Sequence, residues 1–433
     1  MYCEVKRSER RFMRKRFIIL IVAVVFSLGF LARDFGFAEK AQESDDIYKE
    51  LELFSDAVSL IRADYVEKPD SKELIYGAMK GMLSALDPYS QFMDPDTYNE
   101  MKVETEGEFG GIGIEITIKD NLLTIITPID DTPAYEAGLK AGDRIVKIED
   151  EITRDLTLIE AVKRLRGKPG TKVRITVLRE EERKLLDFTI IRSIIKLESI
   201  KRAEIIKGNI GYIRLVEFQE KTARDLETNL RKLEKEGMKG LILDLRNNPG
   251  GLLDASVGVS DKFLEEGKVI VSTKGRVESQ NFVFKSKSSE KHPDYPMVVL
   301  INGGSASASE IVAGAIKDQK RGIIIGTKSF GKGSVQTVVP LSDGSAVRLT
   351  TSKYFTPSGK SIHDLGIEPD IVIEYKEPEK DKEPEEVKAD AFEGLTGAED
   401  AAAVEKVEDK KTYDNQILGA VDVLKGIIIY SKK

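Results

Sequence analysis

Met297-Val-Val-Leu-Ile-Asn-Gly-Gly-Ser-Ala-Ser-Ala-Ser-Glu310 joins a short apolar run to a helical pattern through a turn of small residues. The run Met297–Ile301 predicts a buried strand, and the residues after it predict a helix. A strand-to-helix turn of this kind exposes hydroxyl side chains beside backbone N–H groups that have no partner inside the helix. The segment therefore predicts a layered α/β fold in which Ser305, Ser307 or Ser309 is a candidate nucleophile.

Similar apolar runs occur on both sides of this segment and alternate with helical patterns. They cover Ile210–Leu215, Gly240–Leu245 and Gly322–Ile325, with a helical stretch from Ala223 to Leu233. Continuous apolar runs of this length predict parallel strands that are buried on both faces. Loops at the carboxyl ends of such strands are the expected place for a functional site. We predict one such α/β domain over residues 193–375.

A serine nucleophile needs a base, and histidine is scarce in this chain. Only His292 and His363 are present, whereas the glycine-rich loop Gly326–Gln336 carries Lys332. A lysine can act as a base when burial or a nearby positive charge lowers its pKa. The alternatives are purely structural: Ser305 as a helix N-cap, Ser307 and Glu310 as a capping box, and Lys332 as a surface lysine.

The segment over residues 106–192 is β-rich and resembles a PDZ domain in four ordered stretches. These are the loop Gly110–Ile114, the tripeptide Thr132-Pro-Ala134, Gly138–Ile148 and Leu165–Val173. The resemblance implies that backbone N–H groups of Gly111, Ile112, Gly113 and Ile114 bind the terminal carboxylate of a peptide that pairs with the adjacent strand edge. A tight turn between strands is the structural alternative for this loop. Arg166 is a candidate for sensing the bound tail or for contacting the neighbouring domain.

Together with this domain, three residues and one loop resemble the carboxy-terminal processing peptidases, also called tail-specific proteases. The residues are Ser307, Lys332, 25 positions later, and Gln336, four positions beyond it, and the loop is Arg246–Gly251. The similarity runs from about Leu51 to Tyr375 and includes the stretches 86–93 and 356–371. It implies a multi-domain α/β protein: a helical N-terminal region, a PDZ domain, and a protease core similar to crotonase and Clp protease folds.

The resemblance also implies roles for single residues. Ser307 is the nucleophile, Lys332 the general base, and Gln336 orients the lysine. The backbone N–H of Ala308 and that of Gly250 or Gly251 form the oxyanion hole. Arg246 and Asn247 hold that loop rather than touching the substrate, and His363 is structural.

The N-terminus predicts export. An uncharged run from Phe17 to Ala32 follows a basic stretch and is short for a membrane span, which needs about 20 residues. Gly36-Phe-Ala38 offers a cleavage site, so residues 1–38 are a signal peptide or, uncleaved, an anchor in the inner membrane. Both alternatives place the rest of the chain in the periplasm or cell envelope. Cys3, the only cysteine, precedes the apolar run, so the exported part can form no disulfide.

The remaining segments have distinct compositions. Residues 46–105 show helical spacing of apolar side chains, residues 376–411 form a charged linker, and residues 412–433 contain a helix over Asp414–Tyr430 with one apolar side. That side must pack on the chain's own body or on a second copy, and we predict a homodimer.

Composition excludes other classes of function. The net charge is -7 over 433 residues, and beyond the N-terminal stretch the basic residues are spread among acidic ones. Nucleic acid is therefore not an expected partner. Two distant histidines and no exported cysteine predict that the protein has no metal site and no cofactor. The expected partner is a protein or peptide with a free, apolar C-terminus; the sequence specifies neither the natural substrate nor a regulatory partner. The competing hypotheses are a PDZ adaptor on a degenerate core, and a coenzyme A-dependent enzyme.

Overall fold

The computed structural model describes residues 47–154, 156–180, 182, 184–287, 292–377 and 413–431, in two compact units, Met1–Leu86 and Asp87–Lys433. The first unit contains helix α1 over residues 47–64 and helix α2 over Ser71–Ser84. Asp70 caps α2, because its Oδ1 accepts from the N–H groups of Lys72 at 2.7 Å and Glu73 at 3.0 Å. The predicted export signal, and most of the predicted linker, lie outside the described residues.

The second unit begins with strand β1 (Gln91–Met93) and helix α3 (Pro95–Glu106). A two-stranded ribbon of β2 (Glu108–Gly111) and β9 (Ser193–Lys196) then frames the predicted PDZ segment on both sides. Because its two strands enter and leave that segment side by side, the ribbon joins it to the rest of the unit.

Between the two ribbon strands, six strands and two helices form a separate apolar core. The sheet order is β3-β4-β5-β7-β8, with β6 paired to β5. The strands are β3 (Ile114–Lys119), β4 (Leu122–Pro128), β5 (Arg144–Ile148), β6 (Glu151–Ile152), β7 (Lys172–Arg179) and β8 (Lys184–Ile191); the helices are α4 (Pro133–Glu136) and α5 (Leu158–Leu165). Strand β3 ends the order, so one of its edges is open.

The α/β core is a six-stranded sheet in the order β10-β11-β12-β15-β16-β19. All neighbouring pairs are parallel except β10 with β11. The strands are β10 (Ile200–Ile206), β11 (Ile210–Leu215), β12 (Gly240–Asp244), β15 (Met297–Ile301), β16 (Ile323–Gly326) and β19 (Ile371–Val372). The buried parallel strands that the apolar runs predict are therefore present, with bounds within two residues.

Helices cover both faces of this sheet. On one face lie α6 (Thr222–Lys235), α7 (Leu253–Asp261) and α8 (Ala308–Asp318), which pack in one cluster with Leu241 and Leu243. On the other face Ile242 packs against helix α9 (Asn415–Tyr430), because side chains alternate along a strand. Ile417, Val421 and Leu424 of α9 are buried there, each contributing about 1.5–3 kcal/mol. The apolar side of the C-terminal helix thus packs on the chain's own sheet.

A second sheet, which the sequence analysis did not predict, lies beside the core. Its order is β1-β18-β13-β14, with β17 paired to β18. The strands are β13 (Val269–Gly275), β14 (Phe282–Lys285), β17 (Ser334–Pro340) and β18 (Ala346–Phe355), with a 3-10 turn at Glu278–Gln280. Pairing of β1 with β18 brings the segment after Leu86 next to the strand that follows Lys332.

Candidate active site

Ser307 occupies the turn between β15 and α8 in a strained backbone conformation. It is the N-cap of α8, with φ 53° and ψ −110°, a region that side-chain-bearing residues rarely adopt. Such a conformation costs about 1–3 kcal/mol and persists where the surroundings enforce it, commonly at functional sites. The strain marks Ser307 among the three candidate serines.

The hydroxyl groups of the other two serines are committed to the backbone. Ser305 Oγ donates to the Leu245 carbonyl oxygen at 2.8 Å, and Ser309 Oγ donates to that of Asn248 at 3.0 Å. Both residues are fully buried, whereas Ser307 is 8% exposed. The Ser307 side chain forms a hydrogen bond with the hydroxyl of Tyr354. Burial raises the pKa of Tyr354 to about 12, and the hydrogen bond with Ser307 opposes that rise. Within the described residues, Ser307 is therefore the one of the three serines whose hydroxyl is not bound to a backbone carbonyl oxygen.

The capping alternative is only partly correct. Ser307, not Ser305, is the N-cap, and its hydroxyl makes no capping hydrogen bond. One half of the box is present, because the Ser307 N–H donates to Glu310 Oε2 at 2.8 Å. The Glu310 N–H donates to the Ser307 carbonyl oxygen at 2.9 Å.

Glu310 links the serine turn to the lysine loop. Its carboxylate is fully buried and accepts four hydrogen bonds. Oε1 accepts from Ser329 Oγ and Gly331 N, both at 2.6 Å, and Oε2 accepts from the N–H groups of Ser307 at 2.8 Å and Lys332 at 2.9 Å. Burial raises the pKa of Glu310, and the four donors oppose that rise. One carboxylate oxygen thus holds the backbone of both predicted dyad residues.

The Lys332 side chain lies in surroundings that favour its neutral form. Burial lowers its pKa from the ordinary lysine value, the positive charge of Arg348 lowers it further, and Glu310 opposes both. Lys332 Nζ lies 4.9 Å from the centre of the Tyr89 ring. Across the described ranges, no hydrogen bond joins Lys332 Nζ to Ser307 Oγ.

The loop that carries Tyr89 is fixed by Asp87. Its carboxylate accepts from Ser90 Oγ at 2.7 Å and from the N–H groups of Tyr89 and Ser90, both at 2.8 Å. Arg348 Nε donates to the Tyr89 carbonyl oxygen at 3.3 Å. The stretch 86–93, noted in the sequence without a role, therefore places an aromatic ring beside the Lys332 ammonium group.

Gln336 lies on β17 beside this region. Its Nε2 donates to Ser334 Oγ at 2.8 Å and to Thr350 Oγ1 at 3.4 Å. Within the part of the chain that the structure describes, Gln336 makes no hydrogen bond to Lys332. Its predicted role as the group that orients the lysine stays a prediction.

The predicted oxyanion donors, Ala308 and Gly250 or Gly251, lie at or near the Ser307 turn. Ala308 is the first residue of α8, so its N–H has no acceptor within the helix. Gly250 packs directly on the turn, since a Cβ there would lie 2.8 Å from Ser307 Cβ and 3.0 Å from Ala308 N. Its own N–H, however, donates to Asn248 Oδ1 at 2.9 Å.

Gly251 is the other candidate for the second oxyanion donor. Its neighbours make the bridge to Phe218: the Phe218 N–H donates to the Gly250 carbonyl oxygen, and the Leu252 N–H donates to that of Phe218, both at 2.8 Å. The Gly251 N–H therefore points away from Phe218. Among the described residues, the Gly250 N–H has an acceptor and the Gly251 N–H has none, so the choice between them as the second oxyanion donor stays a prediction.

The loop itself is held as the sequence predicts for Arg246 and Asn247. The Asn247 N–H donates to Asn302 Oδ1 and Asn302 Nδ2 donates back to Asn247 Oδ1, both at 2.9 Å. The Ala306 N–H donates to the Asn248 carbonyl oxygen at 3.0 Å. Arg246 points to the opposite side and binds Asp244 and α9.

The predicted peptide site of the PDZ domain is an open strand edge. Ile112 and Gly113 turn into β3, with Ile112 buried and Gly113 at φ 81°, where a Cβ would clash with Thr132. The carbonyl oxygens of Ile112 and Gly113 accept from Ala134 N at 2.8 Å and Ile129 N at 3.0 Å. These two hydrogen bonds fix the loop, which runs directly into β3, the strand at the end of the sheet.

Arg166 lies at the joint between this domain and the ribbon. Its guanidinium stacks 4.5 Å from the centre of the Phe109 ring in β2. Near the same joint, Lys221 of the core forms an ion pair with Glu108. The structure thus places Arg166 against the ribbon, and a contact with a bound tail is untested.

Two further features concern cofactors and membranes. In the segments described, no group of three histidine, cysteine or carboxylate side chains is arranged to hold a metal ion. Among the same residues, no helix combines the length and apolarity that crossing a membrane demands.

A strained serine and a half-buried lysine, whose backbone N–H groups share one carboxylate oxygen in a core joined to a PDZ-like domain, define a serine peptidase with a PDZ domain. Residues 209–373 match Peptidase family S41, residues 110–190 match the PDZ domain, and residues 32–97 match the N-terminal domain of the activating protease CtpB.

The chain belongs to the carboxy-terminal processing proteases of Peptidase family S41. It is 47% identical over 374 residues to the carboxy-terminal-processing protease of Bartonella bacilliformis, covering 85% of each chain. It is 37% identical to the carboxy-terminal processing protease CtpA of Bacillus subtilis, covering 84% of this chain and 78% of the relative. A solved photosystem II D1 C-terminal processing protease is similar at 30% identity and a TM-score of 0.44, covering 74% of this chain and 92% of that one.

Three residues near the site were not singled out from the sequence for these roles: Tyr89, Arg348 and Tyr354. None lies in a local pattern that indicates chemistry. Glu310 was noted only as a capping residue, although a glutamate directly before the apolar run Ile311–Ile316 of a helix is a signal for a buried carboxylate.

Proposed function

We propose that this chain is an exported endopeptidase in which Ser307 attacks the peptide carbonyl and Lys332 is the general base. The observation that carries the proposal is the Glu310 carboxylate, one oxygen of which binds the N–H groups of both residues. Two distant turns are thereby held together around Ser307, whose hydroxyl, unlike those of Ser305 and Ser309, is not bound to a backbone carbonyl oxygen. Burial and Arg348 lower the pKa of Lys332, which supplies a neutral amine at lower pH than an ordinary lysine would.

In the proposed reaction the neutral Lys332 amine takes the proton of Ser307 Oγ as the new carbon–oxygen bond forms. The Ala308 and Gly251 N–H groups stabilise the negative charge that develops on the carbonyl oxygen. Collapse of the intermediate breaks the peptide bond, and Lys332 returns the proton to the leaving amine. Water, activated by the same amine, then hydrolyses the acyl-enzyme. The reaction requires Lys332 Nζ to turn from the Tyr89 ring towards Ser307, which its flexible stem permits, and Gln336 then orients it.

The PDZ domain is proposed to capture the free C-terminus of the substrate. A tail that pairs with the edge of β3 places its carboxylate at the N–H groups of Gly111 to Ile114. Tethering raises the effective concentration of nearby peptide bonds at Ser307. The β2–β9 ribbon is a narrow connection about which the domain can move between docked and undocked positions.

The test is cleavage of an unstructured protein that ends in an apolar tail, compared with the same protein carrying an amidated C-terminus. We expect cleavage of the first only, and loss of cleavage in Lys332→Ala and Ser307→Ala. Ser309→Ala is the matched control, since it removes a buried hydroxyl of the same turn. Unchanged activity in Lys332→Ala would refute the proposed base. Tight tail binding without cleavage would favour the adaptor hypothesis.

Export and self-association are separate proposals. Export is supported by the basic stretch ahead of Phe17–Ala32, and cell fractionation with and without residues 1–42 tests it. The homodimer no longer rests on α9, whose apolar side is covered by the chain's own sheet. The exposed apolar side chains of α1, such as Leu51, Phe54 and Ile61, offer a surface for a second copy. Light scattering of the purified protein that gives a monomer mass would refute the dimer.

A further inference from the structure

The first turn of α9 meets the oxyanion loop in a buried polar cluster around Arg246. Arg246 Nε and Nη2 donate to the two oxygens of Asp244 at 2.9 and 2.7 Å, and Tyr212 OH also donates to Asp244, at 2.7 Å. Arg246 Nη1 donates to Gln416 Oε1 at 2.7 Å and to Asp414 Oδ1 at 3.1 Å. Because Gln416 is 1% exposed and Asp244 fully buried, solvent cannot replace these partners.

Each of the two α9 residues is itself fixed by a second set of contacts. Asp414 is the N-cap of α9, accepting from the N–H groups of Gln416 at 3.0 Å and Ile417 at 2.9 Å. Gln416 Nε2 donates to the Ile373 carbonyl oxygen at 2.6 Å, just after β19. The acceptors for Arg246 Nη1 are therefore set in place by a helix that is 168 residues away in sequence.

Arg246 connects this polar cluster to the candidate active site. Its side chain lies on the α9 face of the sheet, while Leu245 and Asn247 on either side of it are bound to the serine turn. Ser305 Oγ donates to the Leu245 carbonyl oxygen, and Asn247 pairs with Asn302. Four residues on, Gly250 packs on Ser307. Loss of the Nη1 acceptors would leave a buried charge partly unpaired and free the loop to shift.

We propose that Asp414 and Gln416 are positioning residues for peptide hydrolysis, which hold Arg246 and thereby aim the Gly251 N–H at the developing oxyanion. This inference rests on the proposed function. It assigns the C-terminal helix a task in transition-state stabilisation beyond covering the sheet. Covering the sheet needs only an apolar side chain at position 416, whereas binding Arg246 needs an acceptor and binding the Ile373 carbonyl oxygen needs a donor.

The central variant is Gln416→Met, which keeps the length of the side chain and removes the acceptor. A shift of the order of 1 Å in a catalytic group costs about 100-fold in rate, so we expect kcat to fall at least ~10-fold with KM little changed. Gln416→Glu retains the acceptor oxygens and should recover most of that loss. Asp414→Asn keeps the N-cap, removes only the charge, and should lower kcat less than Gln416→Met. Asp422→Ala, on the exposed side of α9, is the control.

A tetrahedral-adduct readout separates positioning from general damage. A peptide aldehyde forms an oxyanion on Ser307, whereas the matching peptide alcohol binds without one. In Gln416→Met the aldehyde should lose affinity by the same factor as kcat/KM, and the alcohol should keep its affinity. Hydrogen exchange of residues 245–252 should also become faster than in the wild-type protein, a measurement that needs no activity.

Three results would overturn the inference. The first is a Gln416→Met variant with wild-type kcat and aldehyde affinity. The second is an equal loss of aldehyde and alcohol affinity, or a loss of rate no larger than the unfolded fraction, which would reduce the cluster to a structural role. The third is unchanged exchange of residues 245–252. A wild-type protein that cleaves nothing would instead refute the proposed function, and the exchange measurement would still decide whether α9 holds the loop.

Discussion

Glu310→Gln tests whether one buried carboxylate assembles the site. The substitution keeps the size of the side chain but replaces one acceptor oxygen by an NH2 group. All four neighbours of the carboxylate are donors, so the amide cannot satisfy them. In the least costly orientation the NH2 group faces Ser329 and Gly331. The Ser329 hydroxyl can rotate to accept from it, but the Gly331 N–H is left without an acceptor.

The expected loss follows from these contacts. A buried N–H without an acceptor costs about 1–3 kcal/mol. The hydrogen bonds from the Ser307 and Lys332 N–H groups then go to a neutral amide oxygen instead of a carboxylate, which roughly halves their strength. The burial that raises the pKa of Glu310 acts in the opposite direction, since glutamine carries no charge to desolvate. We therefore expect the free energy of unfolding to fall by about 2 kcal/mol. Because two reacting groups lose a common anchor, kcat should fall about 100-fold.

Initial rates at saturating substrate and thermal melts of the same samples measure the two effects. Ser256→Ala is the control, since it removes a buried hydroxyl that donates to the Leu253 carbonyl oxygen at 2.7 Å and makes no bond to Glu310. It should lower stability by about 1 kcal/mol and leave kcat unchanged. Wild-type kcat in a folded Glu310→Gln protein would refute the assembly role. An equal loss of kcat in both variants would show that the site is merely sensitive to any destabilisation.

Three further predictions concern the base and the oxyanion loop. Since the neutral amine of Lys332 is the reactive form, kcat/KM should rise with pH through a pKa below the ordinary lysine value. Arg348→Gln removes a positive charge that lowers this pKa, so the midpoint of the pH profile should move to higher pH. Arg348→Lys keeps the charge and should leave the midpoint in place. Tyr89→Leu removes a ring worth about 0.5–2 kcal/mol to the ammonium form and should move the midpoint to lower pH by about 0.4 to 1.5 units, whereas Tyr89→Phe should leave it in place. Shifts of the opposite sign would contradict both assignments. Gly250→Ala, at φ 111° and 2.8 Å from Ser307 Cβ, should abolish cleavage in a protein that still folds, and a wild-type rate would show that the loop does not pack on the serine during the reaction.

Several parts of the fold follow from the sequence because they are local. The apolar runs Ile210–Leu215 and Met297–Ile301 become strands with those bounds, since burial on both faces demands unbroken apolar residues. The second sheet was missed because β17 and β18 mix polar and apolar residues without a clear period.

The candidate site divides in the same way. The family resemblance, through residue types and spacing, identified Ser307 and Lys332 as the candidate pair. The local sequence pattern alone did not distinguish Ser307 from Ser305 and Ser309. The backbone strain at Ser307, and the carbonyl oxygens that consume the other two hydroxyls, exist only in the folded chain. Neither can be seen in a sequence window, because the partners Leu245 and Asn248 lie about 60 residues away.

The sequence by itself determined the family, the order of the domains and the residues proposed to react, because each depends on neighbours along the chain. Tertiary structure decided what surrounds them. It placed Tyr89 beside Lys332 through the pairing of β1 with β18, and Gln416 against Arg246 through the docking of α9. These contacts join residues more than 150 positions apart, and a local pattern cannot encode them. They arise only when whole sheets and helices bury their apolar faces against one another.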